Sequence, residues 1–299
     1  MASSVYRIVV AAMAACSTLL AMPIDVFDLE HLAELYDAPE NAVFLNSVDD
    51  DYAPMFDVLY HRLLFASDRE GDSKTYAMSM DSLRHGAAQT VPLVEGSMNQ
   101  AGTSRAHIAI GSDGTMVGTW WKMNRHRAYA GLVTVERNGA ALNAGLPIES
   151  VNGPFFVSHP AISPDGSRLV FTSDRAGTGR LSLYMSRRLA GGQWQEPMAI
   201  GPALTSAGDE ITPWFMSADT LVFASNGMGG KGGFDVFISV FRDGAWQEPE
   251  PVEFCNSPFD DSDFVRLSDG TIMFASNRPG GRGGLDLYIA RRRSGGAAQ

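Results

Sequence analysis

Residues 209–238 read DEITPWFMSADTLVFASNGMGGKGGFDVFI, and residues 260–289 read DDSDFVRLSDGTIMFASNRPGGRGGLDLYI. The two stretches superpose without a gap. Asp209 falls on Asp260, Phe223 to Asn226 on Phe274 to Asn277, and Asp235 on Asp286. A third copy, HPAISPDGSRLVFTSDRAGTGRLSLYMS, covers 159–186, and a fourth combines DDYAPMF (50–56) with LLFASDREGDSKTYAMSM (63–80). A fifth, weaker copy is HIAIGSDGTMVGTWW (107–121) followed by YAGLVTVERNG (129–139), and GGQWQEP (191–197) returns as DGAWQEP (243–249).

Each copy has the same parts: an apolar strand, a D-G turn, a strand such as LVFTS, a loop, an alternating strand such as FDVFIS, and an outer W-Q-E-P strand. Four short strands per repeat are the pattern of a propeller blade. One blade cannot bury both its faces, so the copies must stack around an axis. The expected fold is all-β: a five-bladed β-propeller with blades over 47–98, 99–152, 153–206, 207–257 and 258–291 plus 41–46. The last copy lacks an outer strand. ENAVFLNSVDDD (40–51) resembles PVEFCNSPFDD (251–261), so an N-terminal strand, Ala42–Asn46, is expected beside Asp286–Arg291 to close the ring. The GGKGG cluster reads as a tight loop needing backbone angles open only to Gly. A phosphate loop would enter a helix with Lys then Ser/Thr, whereas Phe234 to Phe237 form a strand.

Flanking segments complete the layout. Residues 1–22 carry Arg7 and an apolar run from Ile8 to Met22, too short to span a bilayer comfortably and suited to a secretory leader. MAAC ends at Cys16, the candidate lipidation site, though Met replaces the usual Leu of a lipoprotein box. Residues 23–40 form a lead-in with a short amphipathic helix (Phe27, Leu29, Leu32, Leu35, Tyr36), 41–292 the propeller, and 293–299 a disordered tail. Cys255 reads as a small packed residue. A net charge of −11 argues against nucleic acid and against an anionic membrane surface, so a membrane link is expected only through a lipid anchor.

The residues SPDGSRLVFTSDR (163–175), NSPFDD (256–261) and ASNRPGGRGGLDLYIA (275–290) resemble the TolB-like, WD40-like propeller repeats of bacterial envelope proteins, a repeat type also found in OmpA-family proteins. The resemblance covers about 45–291. It implies a monomeric, exported propeller in the periplasm or at the outer membrane that binds envelope proteins or a peptide ligand and does not catalyse.

Strand direction alternates along a blade, so the D-G turns share one face and the entry and glycine loops share the other. The second face is expected to form a polar funnel from Asp51, His107, His159, Glu210, Thr212, Asp261 and Asp263, with Arg175, Lys231, Arg278 and Arg282 around it. The competing reading makes the repeated acids caps of inter-blade turns. No cofactor is expected. Calcium is the one ion the oxygen-rich loops suit, although none shows a D-x-D-x-D-G spacing. No G-x-S-x-G elbow is present. The alternative function is a small carbohydrate-active enzyme, a glycosidase or lyase, using a funnel carboxylate such as Asp51, Glu210 or Asp261. Trp120-Trp121 could stack on a sugar, but fits a blade core as well. The second blade is unusually basic, with Arg105, His107, Lys122, Arg125, His126 and Arg127.

Overall fold

The computed structural model describes residues 32–86, 91–101, 104–124 and 127–293. The apolar leader, Cys16, the lead-in up to His31, Arg125, His126 and the tail 294–299 lie outside the described residues.

Five antiparallel sheets follow one another along the chain and form five blades. Their innermost strands are Asp51–Asp57, Ser104–Ile110, Val157–Ile162, Glu210–Ser217 and Asp261–Arg266. The first and second strands of each blade are joined by short turns, and the second pairs in turn with the third. The first blade, for example, continues through Arg62–Ser67 and Lys74–Ser79. Ring closure is achieved across the chain's ends. Glu40–Asn41 pairs with Tyr288 and Ile289 of the last blade, and the Ala42 N–H donates to Leu287 O at 2.9 Å. The closing strand is therefore two residues N-terminal of the expected Ala42–Asn46, and residues 43–45 form a turn.

The turn arises because the Asn46 side chain replaces a strand backbone. Its carboxamide donates to Leu287 O (3.0 Å) and accepts from Leu287 N–H (2.9 Å). Asn99 does the same to Thr75, Asn152 to Leu132 and Asn256 to Val236. Thr205 occupies the corresponding position before the fourth blade and donates to Gly201 O instead.

Apolar clusters fill the contacts between neighbouring blades. Phe65, Phe171, Phe223 and Phe274 are each essentially fully buried and pack on Tyr76, Tyr184, Phe237 and Tyr288. Burying one such ring stabilises by about 1.5–3 kcal/mol. The second blade places Thr119 opposite Leu132 at this point, which explains why its copy is hardest to see in the sequence.

The glycine clusters have two separate causes. Gly229 and Gly280 have positive φ (78° and 96°), but Gly232 and Gly283 do not. At those two, a Cβ would run into the backbone of Phe259 and Asp49, the entry loop of the next blade. Close approach between blades, as much as backbone angle, keeps them glycine. The W-Q-E-P segments also divide. Trp246 closes a hairpin onto Phe241, and the outer strand proper is Glu250–Pro251 beyond it.

Candidate functional site

Each innermost strand contains one non-glycine residue at positive φ: Ala53 (51°), His107 (50°), His159 (51°), Thr212 (47°) and Asp263 (56°). The ladder to the second strand slips at each of these positions, so all five are β-bulges. A bulge re-aims a side chain, and here the five side chains converge on the axis. The conformation recurs in every blade, so it belongs to the fold. What differs between blades is the side chain it presents, and that difference is where chemistry can enter. Pro follows the bulge at Ala53, His159 and Thr212, and a Pro inside a strand is the signal that marks such a bulge in a sequence.

The five residues line an axial chamber of about 30 Å3. Asp263 is its carboxylate. His107 Nε2 lies 3.3 Å from Asp263 Oδ1, Ser262 Oγ donates to Asp263 Oδ2 at 2.8 Å, and the Asp263 N–H donates to Thr212 Oγ1 at 3.1 Å. Burial raises the Asp263 pKa, but the His107 hydrogen bond, the two histidines and Ser262 outweigh it and leave it below the ordinary carboxylate value. The His159 ring meets His107 edge-on, with centroids 4.1 Å apart. Burial, then the neighbouring His107, pushes His159 well below the usual histidine pKa, so it is neutral near pH 7, and its buried Nδ1 has no hydrogen-bond partner. Tyr52 tilts against His107 at 5.4 Å. Its hydroxyl is held by Asp68 and Ser73, and burial raises its pKa.

The other sequence-selected residues are spread through the ring. Asp51 and Asp261 are fully buried and pair with Arg69 (2.6 Å) and Arg278 (2.5 Å). Each also accepts a backbone N–H, from Ser47 and Ser257. Asp50, Asp209 and Asp260 accept N–H groups of the preceding blade, from Leu285, Leu181 and Phe234. Asp50, Asp209 and Asp260 are inter-blade ties, and Asp51 and Asp261 brace the entry to their own blade. Glu210 takes the position of Asp51 and Asp261 in a blade where Gly227 stands in place of the arginine. Its Oε1 accepts from Ser206 and Ser225, its Oε2 is buried without a partner, and burial raises its pKa. Arg175 is the reverse case. It stacks over Phe155, Phe171 and Tyr184 and donates to Val151 O, with Val157 where the acid would be. Lys231 pairs with Glu253, and Arg282 donates to Val43 O. Cys255 is buried, which raises its thiol pKa far out of the reactive range.

A larger cavity opens on the opposite face, the one formed by the D-G turns. It measures about 270 Å3 and includes Ser112, Pro164, Asp269 and Gly270 of those turns. Of the residues expected in a polar funnel, His107, His159, Thr212 and Asp263 line the small axial chamber, whereas this larger cavity lies at the D-G turns. Met55 and Trp214 line both cavities and form the partition between them. Among the described residues, no group of three or more His, Cys, Asp and Glu is placed to hold a metal ion.

No family model and no curated protein sequence matches the chain. Solved structures do match it. BT0996, solved as a complex with RGII, superposes with a TM-score of 0.56 at 11% identity, covering 91% of this chain and 97% of that one. An endo-arabinase from Bacteroides thetaiotaomicron superposes with a TM-score of 0.55 at 10% identity, covering 87% and 97%. A thermostable family-43 glycoside hydrolase gives 0.53 at 10%, covering 83% and 91%. These likenesses establish the propeller fold. TolB from Acinetobacter baumannii is also matched, at a TM-score of 0.46 and 12% identity, over 84% of this chain and 57% of that one. The expectation of a non-catalytic ring is corrected: the propellers matched above a TM-score of 0.5 include an endo-arabinase, a family-43 glycoside hydrolase and an α-L-arabinofuranosidase.

Proposed function

We propose that the chain is a carbohydrate-active enzyme, a glycoside hydrolase or lyase, in which Asp263 is the working carboxylate of the propeller axis. The observation that carries this reading is the Asp263–His107 contact at 3.3 Å, with both side chains turned to the axis by strained bulges. An ionised carboxylate that orients an imidazole makes a general base. The axial chamber, about 30 Å3, has room for about one water molecule and not for a sugar ring. Hydrolysis by an activated water is therefore favoured, with the sugar at the mouth of the chamber. His159, kept neutral by burial, packs edge-on against His107 beside the dyad. The names of the matched arabinan-type enzymes agree with this reading. The leader over 1–22 supports export, where a polysaccharide substrate would be met.

The test is a panel of polysaccharides, arabinan and pectins included. Released reducing ends report a hydrolase, and the ultraviolet absorbance of unsaturated uronides reports a lyase. Asp263→Asn should lower the rate by about 10²–10⁴-fold, the usual contribution of a general base, with unchanged circular dichroism. No cleavage of any glycan by the wild-type chain, or full activity in Asp263→Asn, refutes the assignment.

A further inference from the structure

The funnel on the D-G turn face holds none of the five bulge residues of the axis, yet one blade has modified it. Three residues beyond each axial bulge, the blades place Phe56, Ile110, Ile162, Phe215 and Arg266, and all five line the funnel. Four are apolar and the fifth is a half-buried arginine, so the fold itself does not ask for a charge there. Arg292 stands at the same rim. Among the described residues, neither arginine has a carboxylate within ion-pair distance, whereas Arg62, Arg69, Arg137 and Arg278 all do. Asp269, the rim's own carboxylate, is engaged by Arg84 (3.2 Å) and the Thr271 N–H (3.1 Å). The two arginines share a locality: both act on Tyr36, opposing the effect of burial on its hydroxyl, and that hydroxyl donates to Gly270 O at the rim. Apolar wall is supplied by Met55, Val58, Met216, Val265 and Trp214, with Ser112 and Ser268 among the turn residues at the rim.

We propose that this funnel binds a small organic anion with an apolar body, its charged end at Arg266 and Arg292 and its body against Trp214, Ile110 and Ile162. A volume of about 270 Å3 suits a small molecule and is too small for a protein segment or a polysaccharide. An arginine fork matches a carboxylate or sulfonate, and binding there recovers charge pairing that these two side chains lack within the chain.

The probes are octanoate, octanol and octylammonium, followed by titration calorimetry and by tryptophan fluorescence. Octanoate should bind saturably at one site, and octanol and octylammonium should bind far more weakly. Arg266→Leu gives this position the side-chain type the other four blades carry, so the variant should fold, as a thermal melt would verify. It should weaken octanoate by about tenfold, the worth of one charge-assisted contact, and leave octanol unchanged. Arg292→Ala should act in the same direction. Asp263→Asn should not alter octanoate binding, which separates this site from the axial one. Absence of saturable octanoate binding, equal affinity for octanol, or wild-type octanoate affinity in Arg266→Leu overturns the proposal.

Discussion

Removing the Asn46 side chain should weaken the ring at its closure. Asn46 is 4% exposed and its carboxamide makes three hydrogen bonds, two to Leu287 and one to Asn41 Oδ1 (2.9 Å). In Asn46→Ala, Leu287 O keeps its bond from the Ala42 N–H. The Leu287 N–H has no such substitute, and Leu287 is fully buried. Stranding a buried donor costs about 1–3 kcal/mol, and the lost second bond to Leu287 O about 0.5–1.5 kcal/mol. The expected destabilisation is thus about 2–4 kcal/mol. It should appear in equilibrium urea unfolding as a lower midpoint with little change in slope. Asn46→Asp keeps the acceptor but sets a carboxylate against Leu287 O, so it should not rescue stability. Thr205→Asn, before the fourth blade, should be neutral or stabilising, since it supplies the group that four sister positions use. If Asn46→Ala stayed within about 0.5 kcal/mol of wild type, the range of an ordinary surface change, the carboxamide would not be acting as part of the closing strand.

Three further outcomes follow from the same repeats. Arg278→Met should cost about 3–5 kcal/mol by stranding buried Asp261, and Arg175→Met clearly less, because no carboxylate depends on Arg175; equal losses in urea unfolding would contradict this. Glu210 has a pKa raised by burial, so its contribution to stability is full below its unfolded value and is lost as pH rises through the folded one. Glu210→Gln should therefore melt higher than wild type at about pH 7, with the advantage gone near about pH 4, and a pH-independent difference would count against it. Ala53→Gly should stabilise by about 1 kcal/mol, because φ of 51° penalises alanine and not glycine; a lower midpoint would mean that the methyl group's packing outweighs the strain.

The sequence exposes what the repeats share and conceals what their geometry does with it. Phe65, Phe171, Phe223 and Phe274 recur because each centres a blade, and the repeat around them, with its weaker fifth copy, implies the ring. Asn46 and Asn256 are visible as an echo, but the closing strand lies at Glu40–Asn41, since a side-chain amide performing a backbone's task leaves no periodic trace. The acids are conspicuous for the wrong reason. Asp51 and Asp261, like Glu210, accept a backbone N–H of the turn before their own inner strand, whereas the axial carboxylate, Asp263, occurs in one blade. A repeated residue reports the common fold, and a site must be sought where one copy departs from the others. Asp263 and His107 do so at the bulge position that holds Ala53 in the first blade, and Arg266 does so where its sisters are apolar. The sequence places Asp263 and His107 among the funnel residues but does not separate them from Asp51 and Asp261; the bulge register does, because a one-residue slip in each inner strand decides which side chains reach the axis, and Arg266 is found only through it. The same reasoning separates Glu210 from Asp263. Glu210 departs by losing its arginine, but Ser206 and Ser225 close over it, and it remains a buried tie. Asp263 departs with its face to the axis and an imidazole in contact, and that difference in surroundings makes it the candidate for proton transfer.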